Sequence, residues 1–161
     1  MTAETDSFDL AIRGGTVANA AWSGPADVWV RAGRIAAITD PRAVAPGSAR
    51  KTVDAGGTLL LPGGVDPHCH VGFTSGVFTT RDSYLEASTA AILGGTTTMV
   101  DFAIPRPGQS PWAAIEERRT LASNALCDSA LHACVVDWDD TVLMALLAPV
   151  VRCDAVTVMR T

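Results

Sequence analysis

The chain has 161 residues, 48% of them hydrophobic and 18% charged, with a formal net charge of −5 at pH 7. This is globular composition, outside the disordered class and sufficient for one ordinary domain or two small ones. The acidic balance, with no basic run, disfavours nucleic acid and anionic membrane as partners, since both need concentrated positive charge.

Up to Leu61 the sequence reads as short strand-like segments. Residues 8–13 alternate apolar and polar before Gly14-Gly15. Residues 28–31 and 34–38 flank Ala32-Gly33, a hairpin signal. Residues 51–54 and 58–61 are two further strand candidates, separated by Gly56-Gly57. Residues 1–61 are therefore expected to form a small antiparallel β unit.

From Pro62 the period switches to strands alternating with helices. Residues 65–71 are a strand candidate. Asp82 or Ser83 can cap a helix running to Leu93 and stopped by Gly94-Gly95. Residues 96–102 are β-branched and apolar, a buried strand. Ser110-Pro111 sets a cap before a proline at the first helical position, opening a helix to about Leu126. Residues 129–136 are the next strand, Asp139 or Asp140 caps a third helix ending near Pro149, and residues 154–159 are a fourth strand. Such alternation implies an α/β fold with a parallel sheet, either open and doubly wound or part of a barrel. No GxGxxG follows the first strand, so a dinucleotide fold has no specific support. Four strands and three helices are about half of an eightfold barrel, which needs roughly 250 residues, so the barrel reading requires an incomplete chain.

Cys69, Cys127, Cys134 and Cys153 form no CxxC pair and read as reduced thiols. The start, Met1 to Asp6, is acidic where a secretion signal needs positive charge. The longest apolar run, residues 142–151, is interrupted by Pro149 and too short to span a bilayer. A soluble, cytoplasmic protein is expected.

The sharpest local feature is Pro62-Gly63-Gly64-Val65-Asp66-Pro67-His68-Cys69-His70. Histidines at i and i+2 on a strand face the same way, so both imidazoles can reach one cation at the strand's C-terminal end. Cys69 between them faces the sheet–helix layer and reads as a packing residue. Two donors are an incomplete site, because catalytic zinc usually takes three protein ligands and an open position.

Residues 59–70, LLLPGGVDPHCH, resemble the first barrel strand of the dihydropyrimidinases, hydantoinases and allantoinases of the amidohydrolase superfamily. Gly94 to Phe102 with Pro105, and Cys127 to His132, resemble their second and third strands. Residues 9–17 and 27–38 are similar to their N-terminal β-sandwich segment. The resemblance implies the first half of a TIM-type (β/α)8 barrel, residues 62–161, preceded by part of a small β-sandwich, residues 1–61. It implies metal-dependent hydrolysis of a cyclic amide C–N bond, as in a dihydropyrimidine or hydantoin ring opened to an N-carbamoyl amino acid.

It also implies a pair of divalent metals, zinc before manganese, with His68 and His70 as ligands of one of them. The family's bridging carboxylated lysine would fall just beyond Thr161, and Lys51, the sole lysine, lies outside the barrel part. The late histidines and aspartate of that site have no counterpart here either. The catalytic set is thus incomplete within the chain, and activity of these 161 residues alone is not expected. His132 matches a position that is not a ligand in the family and reads as structural, hydrogen-bonded near the site. Gly72 stands where dihydroorotases carry a carboxylate-holding arginine, which argues against that activity. Phe73 and Phe78 line a hydrophobic entrance or pack against the protein. Homo-oligomers are common in the family. The alternative is a noncatalytic relative that keeps the fold and acts only through assembly with a partner.

Overall fold

The structure, a computed structural model, describes residues 7–136 and the backbone of residues 155–158, and the chain divides after Pro62 into two units. In the first, the alternating segments pair around the anticipated turn. β1 (Ser7–Ala18) lies antiparallel to β2 (Ser23–Arg31), and β2 antiparallel to β3 (Arg34–Thr39). Ala32 and Gly33 hold φ of +50° and +71°, the left-handed values that a two-residue hairpin needs to match strand twist. Gly14-Gly15 does not end the first strand but forms a bulge where the register shifts. The buried Asp27 carboxylate fixes it, accepting from Gly14 N–H at 2.8 Å and Arg13 Nε at 2.9 Å.

The expectation of an antiparallel unit needs correction. β4 (Ser48–Asp54) and β5 (Leu59–Leu60) both run parallel to β1, giving a mixed sheet in the order β3-β2-β1-β4 with β5 also on β1. Residues 40–47 carry the chain back along the sheet before β4 begins, a return that a two-residue hairpin cannot make. Phe8 packs on Trp29 with ring centroids 5.3 Å apart, while Val17, Ala26 and Val28 form a second apolar cluster.

The second unit starts with β6 (Gly64–Asp66) and a small hairpin, β7 (Thr74–Ser75) with β8 (Phe78–Thr79), that periodicity did not reveal. There follow α1 (Tyr84–Leu93), β9 (Thr96–Ala103), α2 (Pro111–Ala122), β10 (Asp128–Val135) and β11 (Ala155–Val158). The sheet order is β11-β10-β9-β6, all parallel. Gly63 lets the chain enter β6 closely, since a Cβ there would stand 2.0 Å from Thr97 Oγ1 and 2.7 Å from Thr97 Cβ.

Ser83, not Asp82, caps α1 in a reciprocal capping box with Glu86. α2 opens at Ser110-Pro111 as expected but ends at Ala122, four residues short of the anticipated end. The last turn tightens, with Ala125 N–H bonded to Ala122 O at 2.9 Å, and the Leu126 N–H is taken by the buried Ser88 hydroxyl of α1 at 2.9 Å instead of continuing the helix ladder. The third anticipated helix lies outside the described residues.

Strand alternation sorts the two faces of this sheet. Met99 and Ala103 of β9 pack under the helices with Tyr84, Ala114, Ile115 and Ala122. An unclosed parallel sheet with helices on one face, following a separate β unit, is α/β in class. It is the architecture of part of a (β/α)8 barrel preceded by a small β-sandwich. Among the described residues, no helix is long and apolar enough to cross a membrane.

Candidate functional site

The strand expected over residues 65–71 is shorter than that, and the histidines lie just past its end. β6 stops at Asp66 because Pro67 has no N–H to give the ladder, and Asp66 Oδ1 accepts the His68 N–H at 3.1 Å, turning the chain away. The chain returns to β9 once, through Cys69 N–H to Val100 O at 3.0 Å. The i, i+2 pair still comes together: the His68 and His70 rings meet edge to face with centroids 5.1 Å apart, and both are exposed.

Phe102 of β9 lies against both, at 4.4 Å from His68 and 5.0 Å from His70, and stacks on His132 at 4.6 Å. Phe73 covers the other flank of His70 at 5.0 Å, whereas Phe78 is 78% exposed at the hairpin. His132 Nε2 sits 3.2 Å from Pro67 O, which ties β10 to the histidine segment. A cavity of about 580 Å³ is lined by Phe73, Phe102 and Arg106 together with Glu117 and Arg118 of α2, and neither histidine forms part of its wall.

The helix side of the same strands is built differently. Cys69 is half-buried among Val71, Tyr84, Met99 and Cys127, and its Sγ donates to Val100 O at 3.4 Å. Burial first, then the charge of Asp101, pushes its thiol up to about 12. Asp101 is 1% exposed and is the one charged residue of β9. It accepts from the Tyr84 hydroxyl and from Arg118, and from the Phe102 N–H at 2.7 Å. Arg118 also donates to Val71 O at 2.5 Å and lies over the Tyr84 ring at 5.3 Å. Burial, then the bond to Asp101, raises the Tyr84 phenol well above its ordinary value. This cluster joins α1, β9 and α2 directly behind the histidines. Sequence reading missed it, although a lone aspartate in a β-branched apolar run was the available signal.

Two adjacent imidazoles fit part of the coordination of a divalent ion such as zinc. Among the described residues, neither ring is engaged by a hydrogen bond, so their nitrogens are available as donors. No group of three His, Cys, Asp or Glu side chains that could hold a metal occurs among the described residues.

No family model matches the chain. It is 39% identical over 137 residues to a dihydropyrimidinase of Rattus norvegicus, covering 83% of this chain and 26% of that protein. A D-hydantoinase of Rhizobium radiobacter is 35% identical over 140 residues, covering 86% and 30%. In structure, the chain superposes on a D-hydantoinase from Bacillus sp. AR9 with a TM-score of 0.78 at 36% identity, over 86% of this chain and 30% of that one. The chain thus spans less than a third of the length of these relatives.

Proposed function

From its homology to the dihydropyrimidinases and D-hydantoinases of the amidohydrolase superfamily, which runs over most of its length, we propose that this chain belongs to a metal-dependent hydrolase of cyclic amides. Water adds to a ring carbonyl carbon, the adjacent C–N bond breaks, and the departing nitrogen takes up a proton. A dihydropyrimidine or hydantoin ring would open in this way to an N-carbamoyl amino acid. The observation that carries the proposal is the pair His68 and His70, ring against ring at the C-terminal end of the first strand of a parallel sheet, where barrel enzymes keep their chemistry.

His68 and His70 would hold one divalent ion, zinc by preference, through neutral imidazole nitrogens. Bound there, the metal supplies Lewis-acid polarisation of the carbonyl and a water whose pKa falls toward ~7. Phe73 and Phe102 exclude solvent from the flanks of the two rings. The free thiols of Cys69, Cys127 and Cys134 suit a reducing compartment such as the cytoplasm.

The test is turnover of dihydrouracil and hydantoin by the zinc-loaded protein, assayed as this chain and as any longer polypeptide containing it. Ureido product should appear with the longer form and fall by at least two orders of magnitude in His68→Ala and in His70→Ala. Absence of turnover in every form would favour the competing reading, a relative that retains the fold for assembly alone.

A further inference from the structure

We propose that Phe102 is a positioning residue that fixes the orientation of the His68 and His70 imidazoles. The inference rests on the reading of those histidines as metal donors. Metal-binding histidines are ordinarily held by a hydrogen bond from the second ring nitrogen to a carboxylate or carbonyl. Among the described residues neither imidazole has such a bond, and both instead lean on one ring, Phe102, at 4.4 and 5.0 Å. The interplanar angles are 49° and 40°, so the phenyl forms a tilted wall that limits rotation of both imidazoles. His68 and His70 stand at 88° to each other, and contact with a common neighbour couples their orientations.

A wall of this kind works only if it is itself immobile. Phe102 is 6% exposed and pairs in register with His132 of β10, whose ring stacks on it at 22°. Its backbone N–H is bonded to Asp101 Oδ1, and the other carboxylate oxygen is held by Tyr84 and Arg118 from two different helices. The helix layer thereby fixes β9 at the point where the phenyl meets the imidazoles. That gives the buried Asp101 cluster a role toward the site although none of its members reaches it. One consequence is that a leucine of similar bulk cannot substitute, because it fills the space without presenting a flat face.

The experiment has a structural arm and a binding arm. In the unsubstituted protein, NMR should show contacts from the His68 and His70 ring protons to the Phe102 ring, with both histidine signals displaced by its ring current. Absence of these contacts overturns the proposal without need of any variant. In zinc titrations, Phe102→Leu should bind about 10- to 100-fold more weakly than the parent, the range for loss of an orienting neighbour, while far-UV circular dichroism and cooperative melting persist. Phe102→Tyr, which keeps the ring, should recover most of the affinity. Zinc binding that depends on His68 and His70 but is unchanged in Phe102→Leu overturns the positioning role alone. Zinc binding unchanged in His68→Ala and His70→Ala overturns the metal reading itself, and the positioning role with it.

Discussion

Replacing Asp101 by asparagine tests the buried cluster with little change of shape. Tyr84 and Arg118 share one carboxylate oxygen and the Phe102 N–H takes the other, so the amide, with a single acceptor oxygen, removes the charge facing Arg118 and turns an NH2 toward one of these donors. The Arg118 side chain is 14% exposed, its Nε is buried without a partner, and its other bond goes to Val71 O. Removing one member of a buried ion pair costs about 3–5 kcal/mol, because the remaining charge is stranded. The residual exposure of Arg118 and its bond to Val71 place this case at the low end, about 3 kcal/mol. For a unit of this size, that corresponds to a fall in Tm of roughly 10–20 °C. Urea and thermal denaturation followed by circular dichroism would measure it. Arg118→Met should cost less, since Asp101 keeps two donors, and the double variant should be less destabilised than the sum of the singles. A loss below about 1 kcal/mol in Asp101→Asn would refute the reasoning, by showing that the pair behaves like a solvated surface bridge.

Two further outcomes are expected, besides the histidine and Phe102 variants above. Gly63→Ala places a Cβ within 2.7 Å of Thr97 Cβ, too close for any Thr97 rotamer to relieve. It should destabilise by about 1–3 kcal/mol, as overpacking does, and chemical denaturation at parental level would contradict the close approach. The Cys69 thiol, held up to about 12 by burial and by Asp101, should resist iodoacetamide at pH 8 in the folded protein and react once the chain is unfolded, as read by mass spectrometry. Its raised value also carries a sign: the associated stability is complete below the ordinary thiol pKa and is lost as pH rises from there toward about 12. Rapid labelling of native Cys69 would refute both statements.

Much of the fold was legible because its determinants are local. Ser83 and Glu86 announce α1, Ser110-Pro111 announces α2, and the β-branched run of β9 is unambiguous. The pairing direction of β4 and β5 was not legible, since a short strand's alternation looks the same whichever way its neighbour runs. The end of α2 depends on Ser88, a residue of the preceding helix. The histidine pair was readable from spacing, but its exit from the ladder needed the turn chemistry of Asp66 and Pro67. Tyr84, Asp101 and Arg118 are each 17 residues from the next, a separation that carries no periodic signal. They meet only because α1 and α2 both cross the same strand.

The strand order of the second unit is also the order of synthesis. β6, β9, β10 and β11 are laid side by side as they follow in the chain, so each new strand, on leaving the ribosome, docks on the one made just before it. Successive partners lie roughly thirty residues apart along the chain, and closing such a loop costs only slightly more than closing one of half the length. Among these four strands, assembly can therefore proceed from the N-terminal end, each added strand finding its partner already made. In that sequence β6, with the histidines at its exit, is laid down first and stays fixed while β9, β10 and β11 are added to one side of it.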